Sequence, residues 1–299
     1  MKAKIVNVAS VPQRSPFRYP GGKTWLIPYI REWIKTFQAK PTHFVEPFLG
    51  GGIVSLTVGF EGLASTIEMS ELDEDVAAVW HCILEGDGRW LAKRILAFNI
   101  SVETVKEQLS NRSTSTRQRA FNTILRNRTF HGGILAHGSS MLKNGENGKG
   151  ISSRWYPQTL SDRILAIDAI KERFNFVQGD GIELLRRYTG KKDCVAFIDP
   201  PYTAGKNGKR AGRRLYKYFA LDHAELFKVA GSLAGDFLMT YDNDDEVRDM
   251  ANEFGFDTEL VPMKNTHHAR VLELLIGRDL NWARRFLSPA KQKSLFDRG

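Results

Sequence analysis

The sequence predicts an α/β protein built on a mostly parallel, doubly wound sheet, with a mainly helical region inserted into it. Three observations lead there. Short apolar runs of strand character alternate with stretches of helical apolar spacing along most of the 299 residues. A glycine cluster, Gly50, Gly51 and Gly52, follows directly on the first such run. The run CVAFID (194–199) ends in Asp199-Pro200-Pro201-Tyr202, a turn that two prolines hold rigid.

Taken in order, residues 1–16 read as a loose arm. Residues 24–38 have helical spacing, with Pro28 near the start of the helix. HFVE (43–46) is a short strand leading through the glycines into the apolar helix IVSLTVGF. Residues 64–70 suit a second strand and 73–85 a helix. Residues 87–125 read as mostly helical, whereas 126–158, rich in Gly, Asn, Ser and basic residues, lose all period and suit an inserted module or long functional loop. Helical spacing returns at 160–173. FNFVQGD (174–180) and CVAFID follow as buried strands with a helix between them. Then come a helix (222–233), a strand (236–241), a helix (244–254) and two closing strands (256–262 and 270–276).

Composition narrows the function classes. With 42% apolar and 26% charged residues the chain is of the ordinary globular type, long enough for one enlarged domain. It has no apolar run of 18 residues and no apolar core near the N-terminus, so neither a membrane span nor a secretory signal is expected. Cys82 and Cys194 are too few for a disulfide framework or a four-cysteine zinc site, and Cys194 reads as core. A reducing, cytoplasmic setting fits. The net charge of +9 is concentrated: residues 100–160 hold nine Lys/Arg against three Asp/Glu, and 203–218 hold six Lys/Arg and no acid. A basic excess confined to two segments suggests a polyanion footprint; the plainer alternative is two solvated loops.

Four motifs bear on chemistry. At Asp199-Pro200-Pro201-Tyr202 a carboxylate stands beside a fixed carbonyl where reactive groups of an open α/β sheet gather. Two acceptors match the two N–H donors of an exocyclic amine, and Tyr202 adds a face for stacking. Phe44 to Gly52 gives strand, acid and glycines, a loop that backbone-approaching ligands favour; alone it also suits a plain tight turn. Glu71, about 20 residues on and near Asp73, is placed to accept from ribose hydroxyls; acids are equally common at strand ends without such a role. Gly22-Lys23-Thr24 resembles the end of a phosphate-binding loop, but Phe17 occupies the position where that motif needs glycine, so a nucleotide hydrolase is rejected. His267 and His268 lack partner ligands of suitable spacing, and no metal site is expected. Trp155 and Tyr156 suit either DNA contact or anchoring of their loop.

In this order the motifs resemble the Dam-like, alpha-class (D12) DNA adenine-N6 methyltransferases. The resemblance runs over residues 17–276 and rests on Phe17-Arg18-Tyr19-Pro20-Gly21-Gly22-Lys23, on Glu46 to Gly52 and on Asp199 to Tyr202. It implies a Rossmann-like class I methyltransferase sheet, with S-adenosylmethionine as cofactor. Tyr19 and Lys23 would line the cofactor pocket. Glu46, Pro47, Phe48 and Gly50 would surround its methionine part, Glu71 its ribose and Asp180 its adenine, with Asp199 close by. Asp199, Pro200, Pro201 and Tyr202 would hold the target base. Glu71 departs modestly from the family, where Asp is frequent. The segment Arg126 to Gly133 is similar to the start of the family's DNA-recognition region.

The resemblance thus divides the chain into a catalytic domain at 1–86 and 161–299, interrupted by a target-recognition insertion at 87–160. Duplex DNA is the expected partner. Arg126, Arg128, Lys143 and Arg154 in the insertion, with Lys206, Lys209, Arg210, Arg213 and Arg214 in the basic loop, are the expected DNA contacts. The class leaves room for a cognate restriction endonuclease and leaves oligomeric state open. Methylation of cytosine N4 is the closest rival, since that amine presents the same donors, and the motif order favours adenine. A catalytically silent DNA-binding protein on the same fold is the rival from another class. Methylation of RNA or protein is a third, and Asp199 stands where protein-glutamine enzymes usually have Asn.

Overall fold

The computed structural model describes residues 10–18, 21–111, 115–133, 135, 139–143, 145, 148–201, 221–264 and 270–287. A seven-stranded sheet organises them: β1 (His43–Glu46), β2 (Thr66–Glu71), β3 (Phe174–Gln178), β4 (Cys194–Ile198), β5 (Asp236–Asp242), β6 (Asp257–Lys264) and β7 (Arg270–Gly277). Their spatial order is β3-β2-β1-β4-β5-β7-β6. The first five are parallel, β7 runs antiparallel to β5, and β6 antiparallel to β7. The order reverses between β1 and β4, so a crevice opens beyond their carboxyl ends.

Alternation along the strands builds two cores. Phe44 of β1, Val195 and Phe197 of β4 and Leu238 of β5 belong to one buried apolar layer. Val45, Cys194, Ala196, Ile198, Phe237, Met239 and Tyr241 belong to the other. With both faces covered, the strands read as continuous apolar runs. A fully buried side chain of the size of Phe197 contributes about 1.5–3 kcal/mol.

Helices α1 (Ile27–Ile34), α2 (Ile53–Glu61), α3 (Glu74–Cys82), α4 (Gly88–Ala97), α5 (Val102–Ser110), α6 (Thr116–Thr129) and α7 (Pro157–Asp168) precede β3. Helix α8 (Gly181–Arg186) joins β3 to β4; α9 (His223–Gly231), α10 (Asp245–Glu253) and α11 (Asn281–Leu287) complete the described set. Ser101 caps α5 through a capping box, and the side chains of Asp180, Asp222 and Asp244 cap α8, α9 and α10. Helix α6 packs on α3 and α7 on α4, and Phe121, Ile124 and Ile164 join the same core layer as Phe44.

Two expectations need correction. The helix expected over 24–38 is a 3₁₀ turn, Lys23–Leu26, followed by α1, which stops at Ile34; the Thr36 hydroxyl then donates to the Trp33 carbonyl at 2.6 Å. The arm is packed where it is described. Val11 is buried, Arg14 pairs with Glu61 at 3.4 Å, and the Ser15 hydroxyl donates to the Gly51 carbonyl. Its polar groups have partners on α2 and the glycine loop, which spacing alone does not show.

Candidate active site

The loop after β1 is shaped by its glycines and by a tryptophan. Gly52 has φ +63°, and a Cβ there would lie 2.9 Å from Trp80. Only glycine meets both demands without strain. Trp80 Nε1 donates to the Gly50 carbonyl at 3.1 Å, and the Gly50 amide donates to Glu71 Oε2 at 2.8 Å. Glu71 also accepts from the Asp73 amide, through Oε1 at 2.9 Å. The end of β2 is thereby tied to the loop following β1. Burial raises the Glu71 carboxyl to about 7 despite these amides.

Glu46 ends β1 and is buried. Its Oε2 accepts from the Ser55 amide at 2.7 Å, in the first turn of α2, where helix donors favour an anion. Burial nevertheless pushes its carboxyl up to about 8; the Asp199 charge adds to the rise, and Ser55 and Lys23 oppose it.

Asp199 follows β4, the sheet neighbour of β1 through the pairs His43↔Cys194 and Val45↔Ala196. Adjacent parallel strands bring the 46–52 loop and the 199–201 turn to one end of the sheet. Asp199 Oδ1 accepts from the Thr240 hydroxyl at 2.7 Å and lies 3.0 Å from Lys23 Nζ. The same ammonium lies 3.1 Å from Glu273 Oε1 and donates to the Gly21 carbonyl at 3.0 Å. Lys23 and Glu273 are almost fully buried, while the Asp199 side chain keeps 21% of its exposure. The carboxylate is thus held in orientation and lies partly exposed on the cleft wall.

The two loops line one cleft of about 840 Å³. Its walls include Lys23, Glu46, Pro47, Phe48, Gly50, Glu71, Asp180, Asp199 and Pro201. Pro200 is buried. Asp180 caps α8 by accepting from the Ile182 amide at 2.7 Å and the Glu183 amide at 3.2 Å, both through Oδ1. Gly181 sits so close to the loop after β1 that a Cβ would meet the Pro47 carbonyl at 2.4 Å. Tyr19, Tyr202, Lys206, Lys209, Arg210, Arg213, Arg214, His267 and His268 lie outside the described residues.

The expected DNA contacts of the insertion fare unevenly. Lys143 is exposed and Arg154 half-buried. Arg126 donates to the Leu135 carbonyl at 3.2 Å and lies 3.8 Å from Asp75. Arg128 is not on the surface that a phosphate contact would use: it is buried, donates to the Pro16 carbonyl and lines the cleft. Trp155 is buried against Phe98 and anchors its loop, whereas Tyr156 is exposed on the cleft wall. Thr240 and Glu273 were not foreseen. Each is a polar residue within an apolar strand run, FLMTYD and VLELLIG, and such a residue when buried needs a partner.

Among the described residues no group of His, Cys, Asp and Glu is arranged to hold a metal ion, and no helix is long and apolar enough to cross a membrane. Residues 19–261 match the family described as D12 class N6 adenine-specific DNA methyltransferase. No curated protein matches the chain. Among solved structures, that of a "putative RNA methyltransferase" from Pyrococcus horikoshii aligns with 11% identity and a TM-score of 0.40, over 90% of this chain and 92% of that one.

Proposed function

We propose, from the premise that this chain belongs to the D12 class of N6 adenine-specific DNA methyltransferases, that it moves a methyl group from S-adenosylmethionine to N6 of an adenine turned out of duplex DNA. Adenine-specific DNA methylation comes with the family; the donor, the extruded base and the duplex are the finer reading. The observation that supports it is the shared cleft, which the glycine loop after β1 and the Asp199 turn after β4 line together.

The residues present fit such a cofactor. Glu71 and Asp180 offer acceptors for ribose hydroxyls and an exocyclic amine, and the glycine loop admits a chain against backbone. Asp199 places a carboxylate near a cationic ligand. When bound, S-adenosylmethionine supplies a methyl group made electrophilic by its sulfonium.

The protein's part is to hold the amine and favour its charge. Asp199 and the Pro200 carbonyl accept the two N–H bonds of adenine N6. As N6 turns tetrahedral and partly positive, those preset acceptors bind it more strongly. Lys23 and Thr240 keep Asp199 in one orientation, so little reorganisation is left for the reaction. No strong base is needed before transfer. Extruding the base costs a few kcal/mol; stacking on Tyr202 is assigned a return of roughly 1–3 kcal/mol. The basic segments at 100–160 and 203–218 bind phosphate in this reading.

The test is transfer of a labelled methyl group to unmethylated duplex DNA, followed by digestion and weighing of the nucleosides. N6-methyladenine is expected. N4-methylcytosine without N6-methyladenine overturns the target base, and binding of DNA with no uptake of cofactor overturns the reaction.

A further inference from the structure

Among the described residues, four cationic side chains line the cleft: Arg18, Lys23, Arg128 and Arg163. Lys23 is committed to Asp199 and Glu273. Arg128 and Arg163 are held differently. Arg128 Nη2 donates to the Pro16 carbonyl, and Arg163 Nη1 to the Ser15 carbonyl at 2.9 Å. Neutral carbonyls fix the two guanidiniums and leave their charge standing. Among the described residues no carboxylate pairs with either. Arg128 is 4% exposed, and its Nε is buried without a hydrogen-bond partner. Burial, with repulsion from Arg163 and Arg18, draws its pKa down to about 9, and burial lowers that of Arg163 as well. A buried cation with an unused donor, beside a half-buried second cation, is relieved by an anion.

Their position indicates which anion. Ser15, which accepts from Arg163, donates its own hydroxyl to Gly51. The pair therefore stands beside the glycine loop, in the part of the cleft that the cofactor reading gives to the methionine end. That end carries a carboxylate, and Lys23 is already engaged. A guanidinium fork matches the two oxygens of a carboxylate. We propose that Arg128 and Arg163 form an oxyanion site that takes the methionine carboxylate of S-adenosylmethionine; this rests on the cofactor reading above. A DNA phosphate is the competing occupant, and the depth of Arg128 in the protein disfavours it.

The test removes the interaction from each side. S-adenosylmethionine and its decarboxylated analogue are titrated calorimetrically, without DNA, into the wild-type protein and Arg163→Gln. The wild type should bind the analogue roughly 10–100-fold more weakly, the range of a charged hydrogen bond. Arg163→Gln should lose a similar factor for the full cofactor and show little further loss with the analogue. Arg163→Lys, which keeps the charge without the fork, should fall between, and thermal melts should show all three proteins folded. Equal binding of cofactor and analogue by the wild type overturns the site alone. So does unchanged cofactor affinity in Arg163→Gln, most directly if DNA affinity and its salt dependence fall instead. Binding of neither compound by the wild type overturns the cofactor reading and the site with it.

Discussion

Lys23 is the residue on which Asp199 and Glu273 converge. Its ammonium serves Asp199 and Glu273 at once, within a site that excludes most water. Removing one partner of such a group leaves the others buried and unpaired. Lys23→Met is therefore expected to destabilise the protein by roughly 3–5 kcal/mol, read from urea unfolding. Asp199→Ala removes the acceptor, leaves Lys23 paired with Glu273 and does not touch the basic segments. Methyl transfer should fall by at least about 10²–10³-fold, with DNA binding retained in a mobility shift; unchanged turnover would remove Asp199 from its role. Glu46 supplies a pH dependence. Its folded pKa of about 8 lies above its ordinary 4.5, so the folded state binds the extra proton. That contribution is complete below about pH 4.5 and is lost as pH rises towards 8. Glu46→Gln should flatten the decline in urea midpoint across this window, and an equally steep decline in the variant would contradict the assignment.

At the scale of elements, the site depends on the register of β1 and β4. Their pairing places one acid at the end of each strand, with the glycine loop between β1 and α2. Trp80 of α3 braces that loop from below through Gly50 and by contact with Gly52. Gly52→Ala would add a Cβ at positive φ and against the indole. A cost of about 1–3 kcal/mol is expected, visible as a lowered Tm, together with weaker cofactor binding. Asn127 of α6 is the comparable brace on the other wall. It is fully buried, accepts from the Arg18 amide at 2.8 Å and donates to the Arg18 and Gly133 carbonyls at 2.9 Å. The segment leading to Lys23 is thereby fastened to α6.

For the whole molecule, the charge distribution makes the prediction. The net +9 is carried by two segments, one at 100–160 and one after the Asp199 turn. DNA affinity should fall steeply and log-linearly with salt, with a slope of about −0.9 per phosphate neutralised. Replacing Lys206, Lys209, Arg210, Arg213 and Arg214 with Gln should reduce that slope in a titration series. A slope unchanged by the five replacements would place the footprint elsewhere.

Sequence by itself determined the strand–helix alternation, the two motif loops and the order of elements, because side-chain periodicity and turn chemistry are local properties. It therefore also placed Glu46, Glu71, Asp180 and Asp199 at strand ends. Only the tertiary structure decided who meets whom. The pairing of β1 with β4, the approach of Thr240 and Glu273 to Asp199 and Lys23, and the withdrawal of Arg128 from the surface all join residues distant in the chain. Such contacts follow from packing and from the need of each buried charge or polar group for a partner, and no local pattern records which partner that will be.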